Sequence, residues 1–315
     1  MRIAKILLIA LLLVAPSIAA ADAKDIPGSA VWYLHLDLEQ MRSDGPGRGV
    51  YDWLDDEAMS EVRSETGIDV DKELDTVTAY ALDESGPVIL LEGNFSQKTR
   101  DQIMALIAAE GDLNPAKASG KSYYHLTPGE KAGGHDDEDD ESTDDTPIEI
   151  DFDDDMYVSM DVKKKIIVAA SEDQMRALLA ANGRIAGRKN HGGALLVLSA
   201  EKNLLQAGMH SSAFSSDSED GFESNILRNT EKVAFLVAAV SDKLALEAEL
   251  VTREAEMAES LASVVRGLIS LMSFNEEMDP DLATVIAGTR VEAKGNSLTV
   301  SLALDPDLVV QTLSE

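Results

Sequence analysis

Four times along this chain, two adjacent strand-like runs are followed directly by a helical pattern with a capping residue at its start. Runs joined by turns of a few residues must pair antiparallel, because a parallel neighbour needs a crossover of a dozen or more residues. The recurrence therefore predicts an α+β protein whose antiparallel sheets are built from repeated β-hairpin-plus-helix units, and it argues against a doubly wound α/β fold.

The first unit pairs residues 76–82 with 88–91 across Ser85-Gly86-Pro87 and starts a helix near Ser96, with Ile103, Leu106 and Ile107 on its inner face. The second pairs 156–160 with 166–170. Its helix opens on Ser171-Glu172-Asp173-Gln174, which reads as a capping box in which serine and glutamine side chains satisfy backbone amides reciprocally. Met175, Leu178 and Leu179 form the buried stripe, and Asn182-Gly183 stops the helix.

The third unit pairs 233–240 with 244–251, where Leu244, Leu246, Ala248 and Leu250 alternate with Ala245, Glu247 and Glu249. Thr252 is placed to cap a long helix carrying Met257, Leu261, Val264, Val265, Leu268 and Met272 at three- and four-residue spacing. The fourth pairs 289–294 with 298–304 across Gly295-Asn296, and its helix starts at Asp305-Pro306-Asp307. One more strand precedes each pair of units, at 31–36 and 194–199. The pattern divides the chain into two similar halves, 28–188 and 192–315, joined at Asn190-His191-Gly192-Gly193.

Ahead of these halves, Arg2 and Lys5 precede an apolar run over 6–14, Pro16 breaks it, and Ala21-Asp22-Ala23 matches the small-residue cleavage pattern. Residues 1–23 thus read as a signal peptide, with the mature protein periplasmic or secreted. Crossing a bilayer takes about 20 apolar residues, so no stable membrane insertion is expected after cleavage.

Charge narrows the partners. With 58 Asp plus Glu against 27 Lys plus Arg, the formal charge is -31, and a nucleic-acid partner is excluded because the phosphate backbone repels such a surface. The absence of cysteine removes disulfides, thiolate nucleophiles and zinc–thiolate sites.

The most unusual stretch lies within an insertion at 131–155: over 136–155, 13 of 20 residues are Asp or Glu. Such a run cannot bury itself, which predicts an exposed acidic insertion. Clustered carboxylates are also what calcium prefers, so His135, Asp136, Asp137, Asp139, Asp140, Asp144 and Asp145 are candidate ligands of a weak calcium site. An EF-hand is ruled out, since no glycine lies between His135 and Asp155 to make the turn.

Other motif matches fail on inspection. Ser119-Gly120-Lys121-Ser122 imitates the end of a phosphate-binding loop, but Pro115 stands where its first glycine belongs. Gly45-Pro46-Gly47-Arg48-Gly49 lacks the last glycine of a dinucleotide fingerprint and reads as a flexible loop before a helix over 50–64. No nucleophile elbow, zincin helix or S-x-x-K pattern occurs, so no catalytic residue is assigned. The five histidines are scattered, and His35 reads as a sheet-surface residue. Amphipathic aromatics are enriched at recognition surfaces, which makes Trp32, Tyr33, Trp53, Tyr123, Tyr124 and His125 the candidate partner surface.

These features specify export and fold without specifying a reaction. The expected function is a non-enzymatic binding or scaffolding protein of the bacterial cell envelope, acting on a protein or other envelope component. The alternatives are calcium binding or buffering through 136–155, and an enzyme with an unrecognised carboxylate or histidine site.

Overall fold

The computed structural model describes residues 30–43, 45–82, 86–128, 155–185, 193–202, 229–274 and 280–314. Residues 1–23, read from the sequence as a signal peptide, the link at 190–192, all seven candidate calcium ligands and most of the acidic insertion lie outside the described residues.

The first strand of the chain, β1 (Trp32–Asp37), lies near the middle of a twelve-stranded sheet. On one side it pairs with β2 (Leu74–Ala81), followed outward by β3 (Val88–Gly93), β7 (Lys165–Ala169), β6 (Met156–Ser159), β5 (Lys121–Pro128) and β4 (Gly111–Ala118). On the other it pairs with β8 (Ala194–Glu201), followed by β9 (Thr230–Val240), β10 (Lys243–Thr252), β12 (Ser297–Leu304) and β11 (Arg290–Lys294). Every neighbouring pair is antiparallel. The chain is α+β, as its hairpin spacing requires.

The β1–β8 ladder joins what the sequence pattern separates into halves. Tyr33 lies opposite Tyr80 on one side and Ser199 on the other, so the sheet runs unbroken across residue 190. Both arms place their third strand beside their last, β3 against β7 and β10 against β12, but the arms differ in length and β4–β5 has no counterpart. β4 escapes sequence analysis because Pro115 cannot donate to a ladder, and the residue is tolerated because β4 is an edge strand.

Helices α1 (Leu38–Ser43) and α2 (Gly45–Leu54) follow β1, and a π-helical turn (Asp55–Met59) leads into α3 (Ser60–Thr66) and α4 (Val70–Glu73). With α9 (Pro306–Ser314), α1 and α2 cover one sheet face: Leu38, Met41, Tyr51 and Val309 pack on Leu36, Val77, Leu195, Val237 and Leu246. The glycine-rich run at 45–49 is therefore the start of α2 rather than a loop. A glycine suits the close packing at position 47, where a Cβ would lie 3.0 Å from the Met41 Cα and 3.2 Å from the Leu195 Cδ1 and its neighbours would have to give by a few tenths of an ångström. On the opposite face α6 (Glu172–Ala180) buries Met175, Leu178 and Leu179 against Leu90, Ile167 and Ala169. It ends at Asn182 and Gly183, both with positive φ.

Local capping follows the sequence in part. Ser96 caps α5 (Gln97–Glu110), its hydroxyl accepting from the Thr99 N–H at 3.2 Å. Leu106, expected inside, is 46% exposed. At α6 the capping box does not form: Ser171 accepts no hydrogen bond through its side chain, and Gln174 reaches across to donate to the Gly86 carbonyl. Thr252 does not cap α7 (Ala255–Met272) either. Its hydroxyl donates to the Glu254 and Asn296 carbonyls at 2.8 and 3.0 Å, and Asn296 returns a 2.9 Å bond to the Thr252 carbonyl. This fastens the β11–β12 turn to the start of α7.

The inner face of α7 is narrower than its apolar pattern: Ala258 and Ala262 are buried on Leu250 and Leu298, while Val264 and Leu268 are exposed. Gly267, in mid-helix, costs about 1 kcal/mol relative to alanine. α8 (Pro280–Ala287) covers β12 through Val285.

Candidate functional site

Strand alternation puts Tyr123 and His125 on one face of β5 and Tyr124 on the other. The ladder then sets Tyr157 of β6 directly opposite His125, and the two rings stack at 4.7 Å with 9° between their planes. Tyr123 lies beside Tyr157 with ring centroids 6.3 Å apart. α6 packs over this face and brings Glu172 from its first turn, where a carboxylate is favoured by the free amides of a helix N-terminus. The Tyr123 hydroxyl donates a short hydrogen bond to the Glu172 Oε1. Arg176, one turn later, donates to the same oxygen at 2.8 Å.

The sixth member is Asp155, which immediately precedes β6, where the acidic insertion rejoins the sheet. Its Oδ2 lies 3.2 Å from the His125 Nε2. That approach has ion-pair distance but not hydrogen-bond geometry, since the same nitrogen makes no hydrogen bond. Protonation of the imidazole turns the contact into an ion pair.

The charges in this cluster reinforce one another. The Tyr123 hydrogen bond, then the Arg176 guanidinium, hold the Glu172 carboxyl below its ordinary value, while the bond to Glu172, followed by burial, pushes the Tyr123 phenol up. Burial, with smaller contributions from Asp155 and Glu172, also raises Tyr157. A carboxyl depressed in the folded state contributes stability above its unfolded value, and that contribution disappears as pH falls through the folded one. Glu172→Gln is therefore expected to flatten the loss of stability below pH 4.5 in thermal melts, and to move the Tyr123 titration down toward 10.0 in ultraviolet phenolate absorbance. An unchanged tyrosine titration would refute the coupling.

Chemically, this is a polar aromatic patch. Glu172 is engaged by a phenol and a guanidinium, and among the described residues no hydroxyl nucleophile is hydrogen-bonded to His125. Nor does any group of three His, Asp or Glu there suit a metal ion.

The six candidate partner-surface residues do not form one surface. Tyr123 and His125 join the cluster, with Tyr123 buried beneath it; Tyr124 is half-buried on the opposite face. Tyr33 is wholly buried in the core near the middle of the sheet, Trp32 is half-buried beside it, and Trp53 is half-buried in α2 with an indole nitrogen that makes no hydrogen bond. His35 is not a surface residue: it shares the face of Tyr33, is buried, and its Nδ1 lies 2.9 Å from the Thr78 hydroxyl. On that face burial alone pushes Tyr80 up to about 12. Glu172, Arg176 and Tyr157 carry no sequence signal as site residues, because only the ladder and the seating of α6 bring them to β5.

Among the described residues, no helix is long and apolar enough to cross a membrane. No family model and no curated protein matches the chain. Among solved structures, crystal forms IV, III and I of TP0453 match with TM-scores of 0.42, 0.42 and 0.40 at 11% identity, covering 94% of this chain and 98–99% of theirs. At those values the likeness transfers no residue, ligand or activity to this chain.

Proposed function

We propose that this chain is an exported, non-enzymatic binding or scaffolding protein of the cell envelope, and that the patch of His125, Tyr157 and Asp155, on one face of β5 and β6 near the outer end of the sheet, is its recognition site. The observation that supports this reading is the stacked His125–Tyr157 pair at the base of the acidic insertion. A flat amphipathic pair beside carboxylates contacts a partner with little loss of side-chain entropy. The neighbouring Tyr123–Glu172–Arg176 network is already satisfied, so it holds the patch in shape.

The test is site-specific photo-crosslinking from position 127, which is exposed on the His125 face of β5, in the native envelope. One discrete protein adduct is expected, and the double variant His125→Ala/Tyr157→Ala should lose it while keeping its thermal midpoint within a few degrees. Labelling that is diffuse, or equal in wild type and variant, overturns the proposal.

A further inference from the structure

The short connection between β3 and α5 reads Asn94-Phe95-Ser96. An asparagine followed two places on by serine or threonine, with any residue but proline between, is the acceptor pattern for N-linked glycans in exported chains. The chain has nine asparagines, and Asn94 alone fits: two places after the others stand Ala, Arg, Gly, Leu or Glu.

A pattern of three residues is a site only where the fold presents it. Asn94 lies between the regular elements and is exposed, as are Ser96, Gln97 and Lys98 after it. Its N–H donates to the Glu73 carbonyl at 2.9 Å, and the Ser96 N–H donates to the Glu73 Oε2 at 2.7 Å, so one residue holds the connection from both sides. Phe95 between them is half-buried, with the Arg100 guanidinium 6.0 Å from its ring centroid. These contacts use the backbone of Asn94 and leave its carboxamide facing solvent, the position that a bulky, hydrated glycan requires.

The third residue sets the order of events. Serine and threonine share a hydroxyl as their polar group, so the hydroxyl is what the acceptor pattern supplies. In the folded chain the Ser96 Oγ accepts from the Thr99 N–H at 3.2 Å and lies 2.9 Å from the Thr99 Oγ1, committed to the cap of α5. It is available to another protein before α5 seats, which places the modification during export.

We infer that Asn94 is an N-glycosylation site, modified by a separate envelope transferase that uses a glycan carried on an isoprenoid lipid diphosphate. The Asn94 Nδ2 bonds to the sugar C1 as the bond from C1 to the diphosphate oxygen breaks. The amide gives up one proton to a base on the transferase, the lipid diphosphate leaves, and nothing is oxidised or reduced. The inference rests on the export reading and is independent of the patch on β5 and β6.

Mass spectrometry of the protein isolated from its native envelope is the test, because trypsin cutting after Lys72 and Lys98 puts the whole pattern in the peptide 73–98. That peptide is expected to carry a glycan mass on Asn94. Asn94→Gln and Ser96→Ala should abolish the added mass, whereas Ser96→Thr, which keeps the hydroxyl and the cap, should retain it. The circular dichroism of Asn94→Gln should match wild type, so that the loss is not misfolding. N-terminal sequencing of the same sample reads whether the signal peptide has been removed. A cleaved chain whose peptide 73–98 has its unmodified mass overturns the inference and leaves the export reading standing, while an uncleaved, unmodified chain overturns both. A glycan mass that persists in Asn94→Gln also overturns the assignment.

Discussion

Gly93→Ala is expected to destabilise the protein by roughly 3 kcal/mol or more, at the upper end of overpacking effects, because the new methyl has nowhere to go. Gly93 is buried at the end of β3 opposite Leu74, and a Cβ on it would lie 1.9 Å from the Glu73 carbonyl oxygen, 2.9 Å from the Glu73 carbonyl carbon and 3.0 Å from the Leu74 Cα. All three obstacles are backbone, so no rotamer change relieves the clash. The backbone cannot retreat freely either. Gly93 donates to the Lys164 carbonyl at 2.9 Å and Asn94 donates to the Glu73 carbonyl at 2.9 Å, which clamps the α4–β2 junction, β3 and the turn before β7 together. A fall of about 5–10 °C in the thermal midpoint would report this loss. Gly45→Ala is the control: its added Cβ meets nothing within 4 Å, and its midpoint should stay near wild type.

The second large effect lies on the opposite side of β2. Tyr51→Ala should cost about 3–5 kcal/mol, as for other aromatic truncations in a core. Tyr51 is buried among Leu38, Met41, Leu195 and Leu244, and its hydroxyl donates to the Asp71 Oδ1 at 2.7 Å. The Arg42 and Arg48 guanidinium groups lie 5.4 and 5.7 Å from the ring centroid, while Arg42 also donates both terminal nitrogens to the Leu74 carbonyl. One ring thus connects α1, α2, α4 and the start of β2. Tyr51→Phe keeps the packing and both cation–π contacts, and should cost only about 1 kcal/mol for the lost hydrogen bond. In urea denaturation both variants should lower the midpoint with the slope unchanged. Equal losses for alanine and phenylalanine would mean that the hydroxyl, rather than the packed ring, carries the effect.

How far the fold is legible in the amino-acid order depends on the range of the interaction that decides it. The hairpins β2–β3, β9–β10 and β11–β12 are visible because a strand run, a turn and a second run lie within about twenty residues of one another, and Ser96 and Gly183 mark helix ends through bonds to their own neighbours. Features that also needed a distant partner went differently. Ser171-Glu172-Asp173-Gln174 has the composition of a capping box, yet Glu172 turns to Tyr123 and Gln174 to the Gly86 carbonyl, because those partners arrive only when α6 seats on the sheet. His35 looks like a surface histidine until β2 supplies Thr78 and closes over it. At the candidate site Tyr123 and His125 can be named from β5 alone, whereas Tyr157, Glu172 and Arg176 cannot.

By itself, then, the order of residues determined the α+β class, the antiparallel sense of the strands and the places where charge and apolar side chains collect, since each follows from periodicity and turn length along a few residues of chain. The tertiary structure alone decided that β1 and β8 fuse the two arms into one sheet, which aromatics are buried and which stacked, and which side of α7 is left uncovered. Those outcomes rest on contacts between segments up to about 170 residues apart, as in the pairing of Trp32 with Ala200. Many strands of similar hydrophobicity compete for such contacts, and shape and register choose among them only once the chain has packed.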